Sequence, residues 1–345
     1  MRISISLRRA LKTSIALTLL AGCSGGSPLV APTVPQIPNS MLSRQQLVAS
    51  ERPIRTANFF RHDAKGKPLI FVSDESGNVV DIYLQSGKNK MVGQITGLSY
   101  PQGIATDTQD NLYIANSDAS NVLVYAPPYT GSPKLILNDT GYYPQGVAIS
   151  KKGLVAVVNS SCTASSCSLN SGSIAFYPAN STQACLTLVA SSLLLPQSGA
   201  FDDKGNLYIA SLSQNPIAEV KGGCNAKKIV MLTTANTLKA VYSIQIDKAD
   251  QIAVLDAGAD TVYAYSPPHK GALGSPVSTT PLTTSGSFPN SFAFLASGSD
   301  FYATQLPGSN GFADEYDFPA GGTPENSITV GGGPIGVAVT PPLIP

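Results

Sequence analysis

The sequence has 345 residues, of which 43% are hydrophobic and 12% are charged, with 22 lysines and arginines against 21 aspartates and glutamates. Residues 1–22 carry four of the basic residues and none of the acidic ones, so the remaining chain has a net charge of −3. Nucleic acids and anionic lipid surfaces both require a basic patch on the protein, and this balance argues against either as a partner.

Residues 1–22 have the pattern of an export signal. Four basic residues precede an apolar stretch, 15–21, that is shorter than the ~20 residues needed to cross a bilayer. The stretch ends in Leu-Ala-Gly-Cys, which resembles the lipobox of bacterial lipoproteins. That resemblance implies cleavage before Cys23 and acylation of its sulfur. Because Ser24 follows and not an aspartate, it also implies an outer-membrane lipoprotein facing the periplasm or the cell surface. An ordinary signal peptide with a chance cysteine is the alternative.

Residues 23–66 are expected to form a lipid-anchored tether and a lead-in to the domain. Residues 24–40 contain four prolines, two glycines and no charge, which is typical of a flexible to extended linker. Residues 41–50 have the pattern of a short helix, and 59–67 are expected to pack against the start of the domain. The domain itself is predicted to span residues 67–345.

One unit of three short strands repeats through this domain. The motif YPQGIA at Tyr100 recurs as YPQGVA at Tyr143, so that Gln102 and Gln145 are 43 residues apart. A period of about 43 residues with strand-only patterning is typical of a four-stranded propeller blade. Related motifs begin at Leu195, Val241 and Phe288.

The two ends of the repeat region complement each other. The fragment from Gly333 has only a first strand, whereas the stretch from Leu69 has the later strands without a first one. The C-terminal strand can therefore complete the first blade and close a ring, which removes two open sheet edges. Second strands begin at Leu69, Leu112, Leu154, Leu207, Ile252 and Phe301. We therefore predict an all-β, six-bladed β-propeller, although a chain of this length often has two domains.

The pattern P-x-G-[IV]-A, G-N-L-Y-[IV]-A and V-x-V-Y resembles the NHL-repeat and SMP-30-like six-bladed propellers over residues 69–340. The chain is also similar to bacterial NHL-type lipoproteins. The resemblance implies the architecture more than a function, because such folds host hydrolases, lyases and binding scaffolds. Tyrosines that end the third strands are expected to pack between blades; they are Tyr125, Tyr177, Tyr265 and Tyr316.

Four cysteines other than Cys23 indicate disulfides in an exported protein. Cys162 and Cys167 flank TASS within an insertion and are expected to form a local bridge. Cys185 and Cys224 precede the outer strands of neighbouring blades, so we expect them to pair unless the distance is too long. A zinc site is the less favoured alternative, since no histidine lies near them in the sequence, and no metal is predicted.

Polar side chains are predicted to converge at one mouth of the central channel. In an up-and-down meander, the start of strand one and the end of strand two lie at the same end of the ring. This geometry places Gln102, Gln145, Gln197 and Asn290 near the channel, with Tyr242 and Ile335 at the equivalent positions. The candidate ligand-binding residues are Gln102, Gln145, Gln197, Tyr242, Asn290, Asn116, Asn159 and Asp256. Alternatively, the strand-end residues Asn116, Asn159 and Asp256 cap their own turns, and the Pro-Gln-Gly motifs at the blade entrances only shape the crossing loops.

Two functions remain open from the sequence. The favoured one is a binding or scaffolding module for a protein, peptide or glycan, without catalytic residues or a cofactor and with lipid as its only membrane contact. The alternative is a divalent-cation-dependent, SMP-30-like lactonase or related hydrolase, in which Asn116, Asn159 and Asp256 would hold Ca²⁺. The SMP-30 resemblance also implies an early glutamate ligand, but Glu51 falls in the tether and Glu75 is expected in a turn.

Overall fold

The computed structural model describes residues 57–162, 171–284, 288–306 and 311–343, without the side chains of Ser161, Cys162 and Ser171. The expected signal segment, the acylated Cys23, the helix over 41–50 and the predicted Cys162–Cys167 bridge therefore lie outside the described residues or side chains. No helix in the described ranges combines the length and the apolar character that a bilayer crossing requires.

Within these ranges, 26 strands form six sheets arranged as the blades of a propeller, as predicted, and all pairings are antiparallel except that of one short edge strand. Blade 1 contains β1 (Phe59–Phe60), β2 (Leu69–Asp74), β3 (Val79–Leu84) and β4 (Met91–Ile95). Blade 2 contains β5 (Pro101–Thr106), β6 (Leu112–Asn116), β7 (Asn121–Tyr125) and β8 (Leu135–Asn138). Blade 3 contains β9 (Tyr142–Ile149), β10 (Val155–Cys162), β11 (Ser171–Tyr177) and β12 (Leu186–Leu194).

The remaining strands complete the other blades. Blade 4 contains β13 (Pro196–Phe201), β14 (Leu207–Ser211), β15 (Ile217–Val220) and β16 (Ile229–Thr234). Blade 5 contains β17 (Val241–Ile246), β18 (Ile252–Asp256), β19 (Thr261–Tyr265) and β21 (Ser278–Pro281), and the short strand β20 (Ala272–Gly274) lies in the connection between β19 and β21. Blade 6 contains β22 (Phe288–Phe294), β23 (Asp300–Leu306), β24 (Gly311–Asp317) and β25 (Asn326–Val330), and the last strand is β26 (Pro334–Thr340).

The ring closes as the sequence predicts. β26 pairs antiparallel with β2, with Ile70 opposite Val339 and Val72 opposite Val337, and so becomes the innermost strand of blade 1. The six inner strands β26, β5, β9, β13, β17 and β22 contact one another in that order around the channel, and β22 contacts β26. Both ends of the domain are therefore held in one sheet.

The hydrophobic core is divided among the six blade interfaces. Val122 and Val124 of blade 2, for example, pack with Val155 and Val157 of blade 3, and a separate buried cluster lies at each of the other five interfaces. Each sheet is thus covered on both faces. This explains why the second strands carry apolar residues on both faces, as in Leu112–Ala115 of the fully buried β6, instead of alternating.

Two short strands depart from the four-stranded repeat. β1 pairs with β4 at the outer edge of blade 1, so the lead-in segment does pack on the domain. β20 pairs in parallel with β16 of blade 4. Both cover edges that would otherwise expose unpaired backbone groups. The repeat motif could not predict them, because neither segment belongs to it.

Contacts between neighbouring blades involve tyrosines and one disulfide. The hydroxyl of Tyr177 in blade 3 donates to the Asn138 carbonyl of blade 2 at 2.7 Å, and Tyr265 in blade 5 donates to Asn236 Oδ1 after blade 4 at 2.8 Å. Cys185 before β12 is bonded to Cys224 before β16, with a Cα–Cα distance of 5.5 Å. The expected pairing is therefore present, and the distance is not too long.

Candidate functional site

The central channel has a narrowest part, its waist. On each inner strand, the residue just before the waist lines one small cavity at the channel mouth. The structure brings together all six such positions around a volume of about 30 Å³. They are Gln102, Gln145, Gln197, Tyr242, Asn290 and Ile335. The five predicted ligand-binding residues of the inner strands therefore share one site.

Small residues at the next position make the waist narrow. A Cβ on Gly103 would lie 2.7 Å from the Gln145 carbonyl oxygen, and one on Gly146 would lie 2.7 Å from that of Gln197. In blade 4 the equivalent residue is Ser198, whose Oγ accepts the Ile244 N–H at 2.9 Å. Because neighbouring inner strands touch here, the larger side chains before the waist are held at the mouth.

A buried carboxylate orients two of the amides. Glu75 is only 5% exposed, and its Oε2 accepts a 2.6 Å hydrogen bond from Gln102 Nε2. Gln102 Oε1 in turn accepts a 2.6 Å bond from Gln145 Nε2. Glu75 lies in the turn that follows β2, as expected from the sequence, and this turn brings its carboxylate to the mouth. Glu75 N donates a main-chain hydrogen bond to Gly333 O. Gly333 belongs to the other end of the domain in sequence, and this bond explains the position of Glu75.

The other two amides are held by main-chain carbonyls. Gln197 Nε2 donates to Leu195 O at 2.7 Å, and Asn290 Nδ2 donates to Phe288 O at 3.3 Å. The Tyr242 ring packs edge-on against Phe288, with ring centroids 5.1 Å apart. The mouth therefore consists of oriented amides beside one aromatic ring.

The strand-end residues do not line this cavity. Asn116 Oδ1 accepts the Ser99 N–H at 2.6 Å, and the two carboxylate oxygens of Asp256 accept the N–H groups of Lys239 and Ala240 at 2.8 Å each. Each side chain caps the connection that leads into the inner strand of its own blade, β5 for Asn116 and β17 for Asp256. Of the two, Asp256 also caps its own turn, as expected, because its Oδ1 accepts the Gly258 N–H at 3.2 Å.

Asn159 belongs to a separate buried polar cluster between blades 2 and 3. Its Nδ2 donates to Ser173 Oγ at 3.2 Å, and Tyr177 donates to Asp139 Oδ1 at 3.0 Å. Burial raises the pKa of Asp139 to about 6, and the hydrogen bond from Tyr177 opposes this increase. In the described part of the chain, Asp139 Oδ2 and Asn159 Oδ1 are buried without a hydrogen-bond partner. Sequence reasoning missed Asp139, because it lies in a connection outside the repeat motif.

The residues proposed as calcium ligands do not fit a common ion. A calcium site needs six to eight oxygen ligands around one point. Asn116 and Asp256 already use their oxygens on main-chain N–H groups, and Asn159 lies in the Asp139 cluster. The described residues contain a group of three carboxylates, Asp300, Asp317 and Glu325, but β23 separates it from the mouth end of blade 6. The SMP-30-like ligand set is therefore not assembled.

The opposite part of the channel is a cavity of about 150 Å³. Polar side chains of the inner strands, such as Thr106 and Gln245, line it together with apolar ones, such as Val147 and Phe294, and the C-terminal residues Pro342 and Leu343 also contribute. Both ends of the channel thus contain polar groups, and they differ in size. The mouth is distinguished by its amides, which occupy equivalent positions on four inner strands.

Comparisons with known proteins show relatives in fold. No protein-family model and no curated protein sequence matches the chain. Among solved structures, a Bacteroides caccae protein of unknown function is similar with a TM-score of 0.58 and 10% identity, over 79% of this chain and 99% of the other. A chain in a nidogen/laminin complex is similar with a TM-score of 0.59 and 14% identity, over 80% of this chain and 100% of the other. At these identities, the comparisons support the six-bladed β-propeller fold and do not assign a family.

Proposed function

We propose that this chain is a lipid-anchored, extracytoplasmic binding or scaffolding module of the NHL type that holds a protein, peptide or glycan at its amide-lined mouth. The observation that carries the proposal is the convergence of Gln102, Gln145, Gln197, Asn290 and Tyr242 on one cavity. The lipobox-like end of the leader and the repeat motif support the location and the subtype.

The chemistry of the mouth favours binding over catalysis. Oriented amides and an aromatic ring fix a ligand by hydrogen bonds and stacking, as in many ligand sites. General acid–base catalysis usually uses a histidine or a pair of carboxylates in a cleft. Among the described residues that line this cavity, none is a histidine or a carboxylate. Glu75 does not line the cavity and is hydrogen-bonded to Gln102, which does.

The size of the cavity indicates how a partner would bind. A volume of about 30 Å³ holds the end of one side chain or one sugar substituent, and not a whole small molecule. The rest of the ligand would therefore lie across the face of the ring. This geometry suits a macromolecule that inserts one group into the mouth.

The proposal can be tested by capture on the immobilised domain. We expect the double variant Gln145→Ala/Gln197→Ala to lose a partner from a detergent-solubilised envelope fraction that the wild-type domain retains, with an unchanged melting temperature. This variant keeps the bond between Gln102 and Glu75, so the buried carboxylate stays paired. The matched control is Gln109→Ala/Gln183→Ala, which removes two exposed amides that do not line the cavity. Equal capture by all three proteins would place the site elsewhere.

A further inference from the structure

The hydrogen bonds at the mouth determine which way each amide points. A carboxylate or a main-chain carbonyl can only accept a hydrogen bond, so an amide bound to one must present its nitrogen. Gln102 therefore turns its Nε2 to Glu75, and its Oε1 faces Gln145. Gln145 must then use its own Nε2 on that oxygen. Gln197 and Asn290 likewise direct their nitrogens to Leu195 O and Phe288 O.

This arrangement leaves oxygens for a ligand. In the part of the chain that the structure describes, the nitrogens of Gln145, Gln197 and Asn290 are each engaged, and their oxygens accept no hydrogen bond. Glu75 adds a negative charge directly behind Gln102. Each of these amide nitrogens keeps a second N–H, but the mouth presents three free amide oxygens next to a buried carboxylate.

We propose that the mouth binds a primary ammonium group, the end of a lysine side chain that a protein or peptide partner inserts. This inference rests on the proposed function and specifies its ligand. An ammonium carries three donors and no acceptor, which complements the three free amide oxygens of Gln145, Gln197 and Asn290. The Tyr242 ring at the same cavity adds a cation–π surface.

Size and charge disfavour other ligand groups. A cavity must offer roughly 10–15 Å³ to admit a water-sized group, and this one offers about 30 Å³. A compact ammonium fits that space better than the planar, forked guanidinium of arginine. An anionic group could bond to the second N–H groups of the amides, but it would be repelled by the Glu75 carboxylate and would leave the three amide oxygens without a donor. Sugar hydroxyls could bond to the oxygens, but they would gain nothing from the charge.

The test uses a pair of probes that differ in one group. Nα-acetyl-lysine methylamide carries the ammonium, whereas the same compound acetylated at Nζ has lost the charge and two of the three donors. We expect ligand-observed NMR in low-salt buffer to show binding of the first at least tenfold tighter than of the second. The Gln145→Ala/Gln197→Ala variant should lose this preference.

Glu75 provides a second readout as a positioning residue. Glu75→Gln keeps the size of the side chain and removes the charge, so we expect the binding of the lysine probe to weaken at least fivefold and its salt dependence to diminish. Glu325→Gln removes the same charge from an exposed position on blade 6 and should bind like the wild type. A Glu75→Gln variant that keeps both the affinity and its salt dependence would overturn the assignment.

The remaining outcomes separate this inference from the proposed function. If both probes bind equally, if neither binds, or if CaCl₂ or chitotetraose displaces the lysine probe at millimolar concentration, the ammonium assignment is wrong. In each of those cases, loss of partner capture in Gln145→Ala/Gln197→Ala would still support a binding mouth. If the lysine probe binds with the expected preference while capture is unchanged in that variant, the ammonium site stands and the proposed role in partner capture fails.

Discussion

The main-chain N–H of Gly336, in the last strand, donates a hydrogen bond to Oγ of Ser73, in the first blade, at 2.8 Å. The same Oγ donates to the carbonyl of Gln102 at 2.6 Å. One buried hydroxyl thus joins strands β26, β2 and β5 at the point where the ring closes. The bond lies next to the mouth, because Gln102 is one of the residues that line it.

Gly336→Ala should destabilise the ring at this closure. The new Cβ would lie 2.6 Å from the Gln102 carbonyl oxygen and 2.8 Å from Ser73 Oγ, and the main chain there cannot move away without opening the closure. We expect a loss of roughly 1–3 kcal/mol in the free energy of unfolding, as for other overpacked core positions, measured by urea denaturation.

Gly199→Ala is the matched control for this substitution. Gly199 also lies on an inner strand, but its new Cβ would meet side-chain atoms of Leu207 and Val158 at 3.2 Å, which can adjust, and the nearest main-chain atom, the Tyr208 carbonyl oxygen, only at 3.3 Å. We expect a loss below about 1 kcal/mol. Equal losses at the two positions would contradict the view that nearby main-chain atoms leave no room for a side chain in place of Gly336.

The Cys185–Cys224 disulfide should contribute to stability by restricting the unfolded chain. It links residues 39 apart and joins the outer parts of blades 3 and 4. For a loop of this size, we expect Cys185→Ala/Cys224→Ala to lower the free energy of unfolding by about 2–4 kcal/mol, measured by urea denaturation without reductant. With 10 mM dithiothreitol the difference between the wild type and this variant should vanish. A difference that persists would mean that lost packing, and not the crosslink, causes the effect.

The repeat predicted the fold because each copy carries its own strand and turn signals. The 43-residue spacing of Gln102 and Gln145 gave the blade length, and the incomplete copies at the two ends gave the closure. It could not predict β1 and β20, which lie outside the repeating unit. Their pairing depends on which sheet edges are exposed after the ring has formed.

The site was predicted only where its residues lie on the repeat. Gln102, Gln145 and Gln197 occupy one register position, so their convergence follows from the ring geometry. The role of Glu75 depends on its bond to Gly333, almost the whole domain away in sequence. Asn116 and Asp256 carry the right atoms for a ligand site, but nearby main-chain N–H groups already occupy them. Sequence alone does not distinguish these two uses of the same side chain.

The proposed membrane anchor depends on the sulfur of Cys23. We expect Cys23→Ala, expressed with its own leader, to leave the membrane fraction and to take up no labelled palmitate, because two or more acyl chains are what give stable attachment. Cys185→Ala, which leaves the leader intact, should remain in the membrane fraction and be labelled. A Cys23→Ala protein that stays membrane-bound would refute the lipobox interpretation.

Asp139, at the interface between blades 2 and 3, should make the free energy of unfolding depend on pH. Burial raises its pKa from 3.8 to about 6, so the folded state holds the proton more tightly than the unfolded state does. The contribution of this carboxyl is therefore most favourable below pH 4 and is lost as the pH rises to about 6. Asp139→Asn keeps an oxygen for the Tyr177 hydroxyl and cannot ionise. We expect it to match the wild type near pH 4 and to exceed it by on the order of 1–2 kcal/mol at pH 7, measured by urea denaturation. The exposed Asp203→Asn should show no such change between the two pH values. An Asp139→Asn effect that is the same at both would show that folding does not raise the pKa of this carboxyl.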